Sequence, residues 1–243
     1  MLRWEYIYCA VIVIITLLIL QCGSPVAGSG TQTTNGIYVT VASNSVQGYL
    51  YSVDNENVRK NVTDTADVEL ILFSENYQPY DSQGFSKVLV IDDTGAFFAD
   101  SLQDGNYNLL SVNNTDSTSV IFKGLTVTGL HEDYSKDMLF SRWRSIKVTI
   151  DDSSRLDVPY KGVYIPGTPF FSIASNSDTF CLDKISSETY KVFADYFTKS
   201  GTGRFLRVKG FKDTTDSDNL KIYTDSISVT VDDSLVNKID MKL

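Results

Sequence analysis

The chain is short of basic charge, histidine, cysteine and long apolar runs. It carries 21 Lys and Arg against 30 Asp and Glu, a formal net charge of −9. That deficit disfavours nucleic acid, whose phosphates need a cationic surplus, and a polybasic membrane-surface patch. His131 is the only histidine, and Cys9, Cys22 and Cys181 are the only cysteines. A zinc site needs several His or Cys ligands, so no metal is expected. A Ser-His-Asp or Cys-His centre would have to be built on His131, and no nucleophile-elbow sequence is present. There is no Gly-rich phosphate loop either, so no cofactor and no enzymatic activity are expected. The one uncharged apolar run, Ile7 to Leu20, is 14 residues long. A bilayer span needs about 20, and the run fits the core of a signal peptide.

That run ends in Leu18-Ile19-Leu20-Gln21-Cys22-Gly23-Ser24, which resembles a bacterial lipoprotein signal. Leu18 or Ile19 and then Cys22 match the pattern, whereas Gln21 departs from the small residue usual before the cysteine. The resemblance implies that residues 1–21 form a signal helix that is removed. Cys22 is then acylated on sulfur and nitrogen, and the membrane becomes a partner through it. Two or three acyl chains anchor stably where one does not. Ser24 is not the Asp that marks inner-membrane retention, so the resemblance points to the outer membrane of a bacterial envelope. Residues 22–35 are Gly, Ser, Thr, Pro and Gln in the main and read as a flexible tether. An uncleaved signal anchor is the alternative. After processing, Cys181 would be left without an intramolecular partner, and its place beside Phe180 suits a small buried hydrophobe.

What is abundant is Tyr (14), Phe (13) and short alternating runs, the composition of an all-β chain. Residues 36–128 offer Ile37-Tyr38-Val39-Thr40-Val41, Val46 to Val53, Val68 to Phe73, Ser86 to Ile91 and Val120 to Val127 as strands. Asp54 to Asp67 reads as a polar turn region. Asp92-Asp93-Thr94-Gly95 is a hairpin signal, in which Gly95 takes positive φ without a Cβ penalty. Leu102-Gln103-Asp104-Gly105-Asn106-Tyr107 reads as a tyrosine corner, the ring packed inward and the hydroxyl bonded to backbone upstream. The pattern Val46-x-Gly48-x-Leu50, Val68-x-Leu70, Asp93-Thr94-Gly95-x-Phe97, Leu102-x-x-Gly105-x-Tyr107-x-Leu109 resembles the carboxypeptidase regulatory-like domain. The resemblance implies a prealbumin-like (transthyretin-like) β-sandwich that serves as a non-catalytic folding or interaction unit.

Residues 129–144 break the rhythm and read as a connector, a short helical turn or plain linker. In residues 145–243 the motif returns. Phe97, Asp100, Leu102 and Tyr107 match Phe180, Asp183, Ile185 and Tyr190 at one constant offset. The expectation is two small antiparallel sandwiches, the second a diverged repeat. Asp178 and Glu188 replace Gly95 and Gly105, so different turns are expected there. A single long two-sheet domain is the alternative.

The acidic pairs Asp92-Asp93, Asp151-Asp152 and Asp232-Asp233 are not two-carboxylate sites, because neighbours in an extended chain face opposite ways. They sit at strand ends, where Asp is a good turn residue. Asp213-x-x-Asp216-x-Asp218-Asn219 lacks the glycine and distal glutamate of a calcium loop. The function expected is an anchored envelope lipoprotein acting as a structural or interaction module, its partner an envelope protein or polysaccharide. A carbohydrate- or wall-binding surface protein is the alternative, with Tyr77, Tyr80, Phe170, Phe171, Tyr196 and Phe197 as a sugar-stacking face.

Overall fold

The computed structural model describes residues 32–53, 56–62, 65, 67–129, 134–151, 160–208, 211–212, 220–221, 224–231 and 236–243. Among them there is no helix, and none therefore long and apolar enough to cross a membrane. The fold is all-β.

The first nine strands are β1 (Gln32–Ala42), β2 (Ser45–Val53), β3 (Arg59–Asn61), β4 (Val68–Ser74), β5 (Ser86–Val88), β6 (Ala96–Ala99), β7 (Gly105–Asn113), β8 (Thr118–Val127) and β9 (Tyr134–Arg142). They hydrogen-bond in the order β3-β2-β1-β9-β8-β7-β4-β5, with β6 on β2. The β8–β9 link is only Thr118 to Arg142 and Ser119 to Ser141. There the sheet folds over, and its two wings close on one core. Ile37, Val39, Val46 and Leu50 from one wing meet Leu70, Leu72, Leu109 and Phe122 from the other. Period-2 alternation puts these residues inward and their neighbours outward.

The next ten strands are β10 (Arg144–Asp151), β11 (Tyr160–Tyr164), β12 (Phe171–Ala174), β13 (Thr179–Ile185), β14 (Thr189–Lys199), β15 (Phe205–Arg207), β16 (Phe211–Lys212), β17 (Leu220–Lys221), β18 (Thr224–Thr230) and β19 (Val236–Lys242). One sheet is β13-β10-β19; the other is β12-β11-β14-β15, with β18 also on β14; β16 and β17 pair separately. Every described pairing is antiparallel except β10 with β19, which run parallel from Ser145–Val236 to Asp151–Lys242.

The β8-β7-β4 wing is buried on both faces. Its second face, with Phe73, Leu110, Val112 and Ile121, joins one core with Ile146, Val163, Tyr190 and Val192 of the second sandwich, and Ile71 packs against it. A strand covered on both sides reads as a continuous apolar run, and Leu70 to Phe73 is one. The seam also carries directed bonds. Gly167 N–H donates to Tyr77 O at 2.8 Å, and Asn108 Nδ2 donates to Gly167 O at 2.9 Å. Gly167 has φ of +69°, and a Cβ there would lie 2.9 Å from Glu75 O. Only glycine allows this approach.

Two expectations are corrected here. Residues 134–142, expected as a helical turn or linker, are strand β9, paired along β1. Only Trp143 separates β9 from β10. The polar stretch 54–67 holds the short edge strand β3, whose residues are all exposed.

Candidate binding face

The motif residues come first, because they set the frame for the outer faces. Asp92 Oδ1 accepts from Thr94 N at 2.8 Å, Thr94 Oγ1 at 2.7 Å and Ala96 N at 2.9 Å. These bonds favour the carboxylate and hold its pKa below the ordinary value, the Thr94 hydroxyl contributing most. Gly95 has φ of +81°, so the chain turns back and aims Phe97 into the first core. Leu102 is buried beside it. Tyr107 is buried and its hydroxyl donates to Gln103 O at 2.9 Å. Gly105 has no positive φ, and the nearest atom to a Cβ there would be 3.9 Å away. The backbone does not require glycine at 105, so Glu188 in its place needs no different turn. In the second sandwich Phe180, Ile185 and Tyr190 are all buried. The Tyr190 hydroxyl lies 2.6 Å from Ser186 Oγ. Cys22, His131, Asp152, Asp232, Asp233 and residues 213–219 lie outside the described residues.

Cys181 is half-buried in β13 and disulfide-bonded in the unprocessed chain; the expectation of an unpaired Cys181 concerns the chain after loss of residues 1–21 and acylation of Cys22.

The proposed sugar-stacking face is also corrected. Tyr77, Phe170, Tyr196 and Phe197 are core residues. Tyr80 is half-buried, edge-on to Tyr164 at 4.9 Å and to Phe197 at 5.0 Å. Phe171 alone of the six is exposed, at 43 %. Beside Tyr80, the fully buried Asp195 pairs with Arg207 Nε at 2.8 Å and accepts from the Tyr164 hydroxyl at 2.8 Å. Burial, then the Asp195 charge, pushes the Tyr164 phenol far up. A carboxylate so enclosed and so fully engaged braces the β11–β14 sheet.

An aromatic face exists elsewhere, on the outside of β9-β1-β2-β6. Register sets its rows. Asp137, Tyr38, Tyr49 and Ala96 stand side by side across the four strands, and Ser135, Thr40, Gln47 and Phe98 form the next row. Tyr38 and Tyr49 stack with centroids 5.2 Å apart. The Ser135 and then the Thr40 hydroxyl hold the Tyr38 phenol below its ordinary pKa. Ala96 is too small to cover Tyr49. The result is an open groove of about 680 Å³ lined by Tyr38, Tyr49, Gln47, Asn61, Val90 and Phe98 among others. Phe98 is 54 % exposed and Val90 84 %. One row further on, the Tyr51 hydroxyl donates to Asp137, which also pairs with Arg59, while the Arg59 guanidinium lies 4.5 Å from the Tyr51 ring centroid. Burial, and then the bond to Asp137, pushes the Tyr51 phenol up to about 12. Among the described residues no cluster of His, Cys, Asp or Glu is placed to hold a metal.

Sequence reasoning missed this face. Its signal was tyrosine in the outward phase of two alternating strands, Ile37-Tyr38-Val39 and Gly48-Tyr49-Leu50.

No protein family matches this chain, and no curated protein does. Several solved structures are similar at a distance, two of them pilins of different bacteria. One is BcpA, the major pilin subunit of Bacillus cereus: 10 % identity, 86 % of this chain and 70 % of that one, TM-score 0.27. The other is GBS52, the minor pilin of Streptococcus agalactiae: 8 % identity, 76 % of this chain and 84 % of that one, TM-score 0.27. With so little of either fold superposed, neither likeness bears on what this chain does.

Proposed function

We propose that the chain is a non-catalytic structural and interaction module of a bacterial envelope, held at the outer membrane by acylated Cys22 after loss of residues 1–21. The observation that carries the structural part is the β8-β7-β4 wing, buried on both faces. It fuses the two sandwiches into one body, joined at Trp143 with no linker between β9 and β10. Such a body suits holding a surface at a fixed place better than opening and closing around a substrate. That is also the role of a carboxypeptidase regulatory-like sandwich, and residues 36–128 carry the spacing on which that resemblance rests. The anchoring part is supported by the Leu18-to-Ser24 sequence.

The Cys181 disulfide competes with anchoring. The chain offers only Cys9 and Cys22 as other cysteines. Cys9 is lost with a cleaved signal, and a sulfur held in a disulfide carries no thioether. The test is the mass of the N-terminal tryptic peptide from membranes, with and without reduction, for wild type and Cys22→Ala. A triacylated Cys22 peptide that is independent of reductant, with release of the mutant from membranes, is the expected result. An unacylated Trp4–Arg59 peptide, uncleaved before Cys22 and changing mass only on reduction, would overturn the anchor.

A further inference from the structure

We propose that the outer β9-β1-β2-β6 face binds an uncharged polysaccharide, its pyranose rings lying on Tyr38, Tyr49 and Phe98. This rests on the interaction-module reading above and names its partner class. Three observations converge on that occupant.

The first is the aromatic arrangement. Tyr38 and Tyr49, both half-buried, stack on each other with centroids 5.2 Å apart, and exposed Phe98 stands beside Gln47 in the neighbouring row. A sugar ring has an apolar face of C–H groups that an aromatic face covers, while its equatorial hydroxyls point sideways.

The second is the polar rim. Exposed Gln47 and Asn61 flank the rings. Each amide offers two donors and an acceptor, the complement of vicinal hydroxyls.

The third is charge. Among the described residues Asp92 is the only charged side chain lining the groove, and its Oδ1 is engaged by the turn that it caps. Arg59 is paired with Asp137. The chain as a whole carries −9. Among the described lining residues an acidic polymer would meet repulsion and no cation; a neutral one meets neither. The groove is also open rather than closed, which admits an internal stretch of chain.

The experiment is native gel electrophoresis of the full-length protein in detergent, through gels containing neutral laminarin, xyloglucan, galactomannan or glycogen, and acidic alginate or hyaluronan. Retardation by at least one neutral polymer and by no acidic one is expected. Tyr49→Ala and Phe98→Ala should each weaken it about tenfold, as the loss of roughly 1.4 kcal/mol does. Phe98 is exposed, so Phe98→Ala leaves the core intact, and an unchanged melting temperature verifies that. Mobility unchanged in every neutral gel would overturn the proposal, as would retention by acidic polymers alone or variants that bind like wild type. So would sedimentation showing a dimer that Val90→Ser and Phe98→Ala dissociate, since the face would then be an interface between copies. Each of these failures leaves the N-terminal peptide mass untouched, so the anchored-module reading stands or falls separately.

Discussion

Tyr107 and Tyr190 occupy the same place in the two copies of one motif, and the molecule uses them differently. In both copies a buried Phe precedes an exposed Asp, and the next residue takes the left-handed conformation: Ser101 at φ +55° and Lys184 at φ +61°. That conformation costs a non-glycine residue about 1–2 kcal/mol, so its recurrence reflects a shared turn. In both, the tyrosine hydroxyl reaches back four residues. Tyr107 bonds a backbone carbonyl, and its ring meets Phe85 at 5.7 Å near the surface. Tyr190 bonds the buried Ser186 hydroxyl. Its ring lies in the core common to both sandwiches, with Lys123 Nζ of β8 at 3.7 Å from its centroid. One occurrence of the pattern closes the end of a sandwich; the other forms part of the seam.

The largest effect expected is that of Tyr190→Ala. Truncating a fully buried aromatic costs about 3–5 kcal/mol, and this core belongs to both sandwiches. Hydrogen exchange should show β7 and β14 losing protection together. Protection kept in β7 alone would break the comparison, making the seam a contact between independent units. Next come the phenylalanine substitutions, followed by urea unfolding. Tyr190→Phe strands a buried hydroxyl and should cost about 1–3 kcal/mol, against about 0.5–1.5 for Tyr107→Phe. The reverse order would show the Ser186 bond to be dispensable.

A smaller effect is expected from pH. Burial lowers the Lys123 amine from 10.5 to about 8, with Glu188 opposing. Between these values the unfolded chain binds the extra proton, so stability rises with pH. Below about pH 8 both states are charged and the slope vanishes. The window to measure is pH 8 to 10, because above it the raised phenols pull the other way. Lys123→Met should flatten the slope in that window, and a slope that survives would assign it to another group. The smallest effect is that of Asp137→Asn. The Arg59 pair is largely solvated, and its loss should cost less than about 1 kcal/mol in thermal melts. A larger loss would show that Tyr51 depends on it.

How much of this could be read from the sequence depends on whether a residue's phase along the strand matched its chemistry. Ile37 to Val41 and Val120 to Val127 alternate cleanly, and Gly95 marks its turn. Strand β9 was hidden because Lys136 occupies an inward phase: its stem runs beneath the sheet and its ammonium reaches Lys123 O at 3.1 Å. A lysine there reads as linker. Strand β3 has no buried face to produce a pattern. The run Val68 to Phe73 was legible as a strand, but nothing local says what covers its second face. The parallel β10–β19 pair joins segments about ninety residues apart, beyond any window of periodicity. At the binding face the residues were visible, and their meeting across four strands was not, since register is set by partners rather than by neighbours.

The parallel pairing of β10 and β19 has a mechanical consequence. Leu243 follows directly on β19, whose ladder partners run from Ser145–Val236 to Asp151–Lys242. A pull on that end, directed along the strand, loads the ladder in shear, so its bonds resist together instead of peeling one at a time. Tension that enters along β19 is thereby borne by the whole β10–β19 ladder at once.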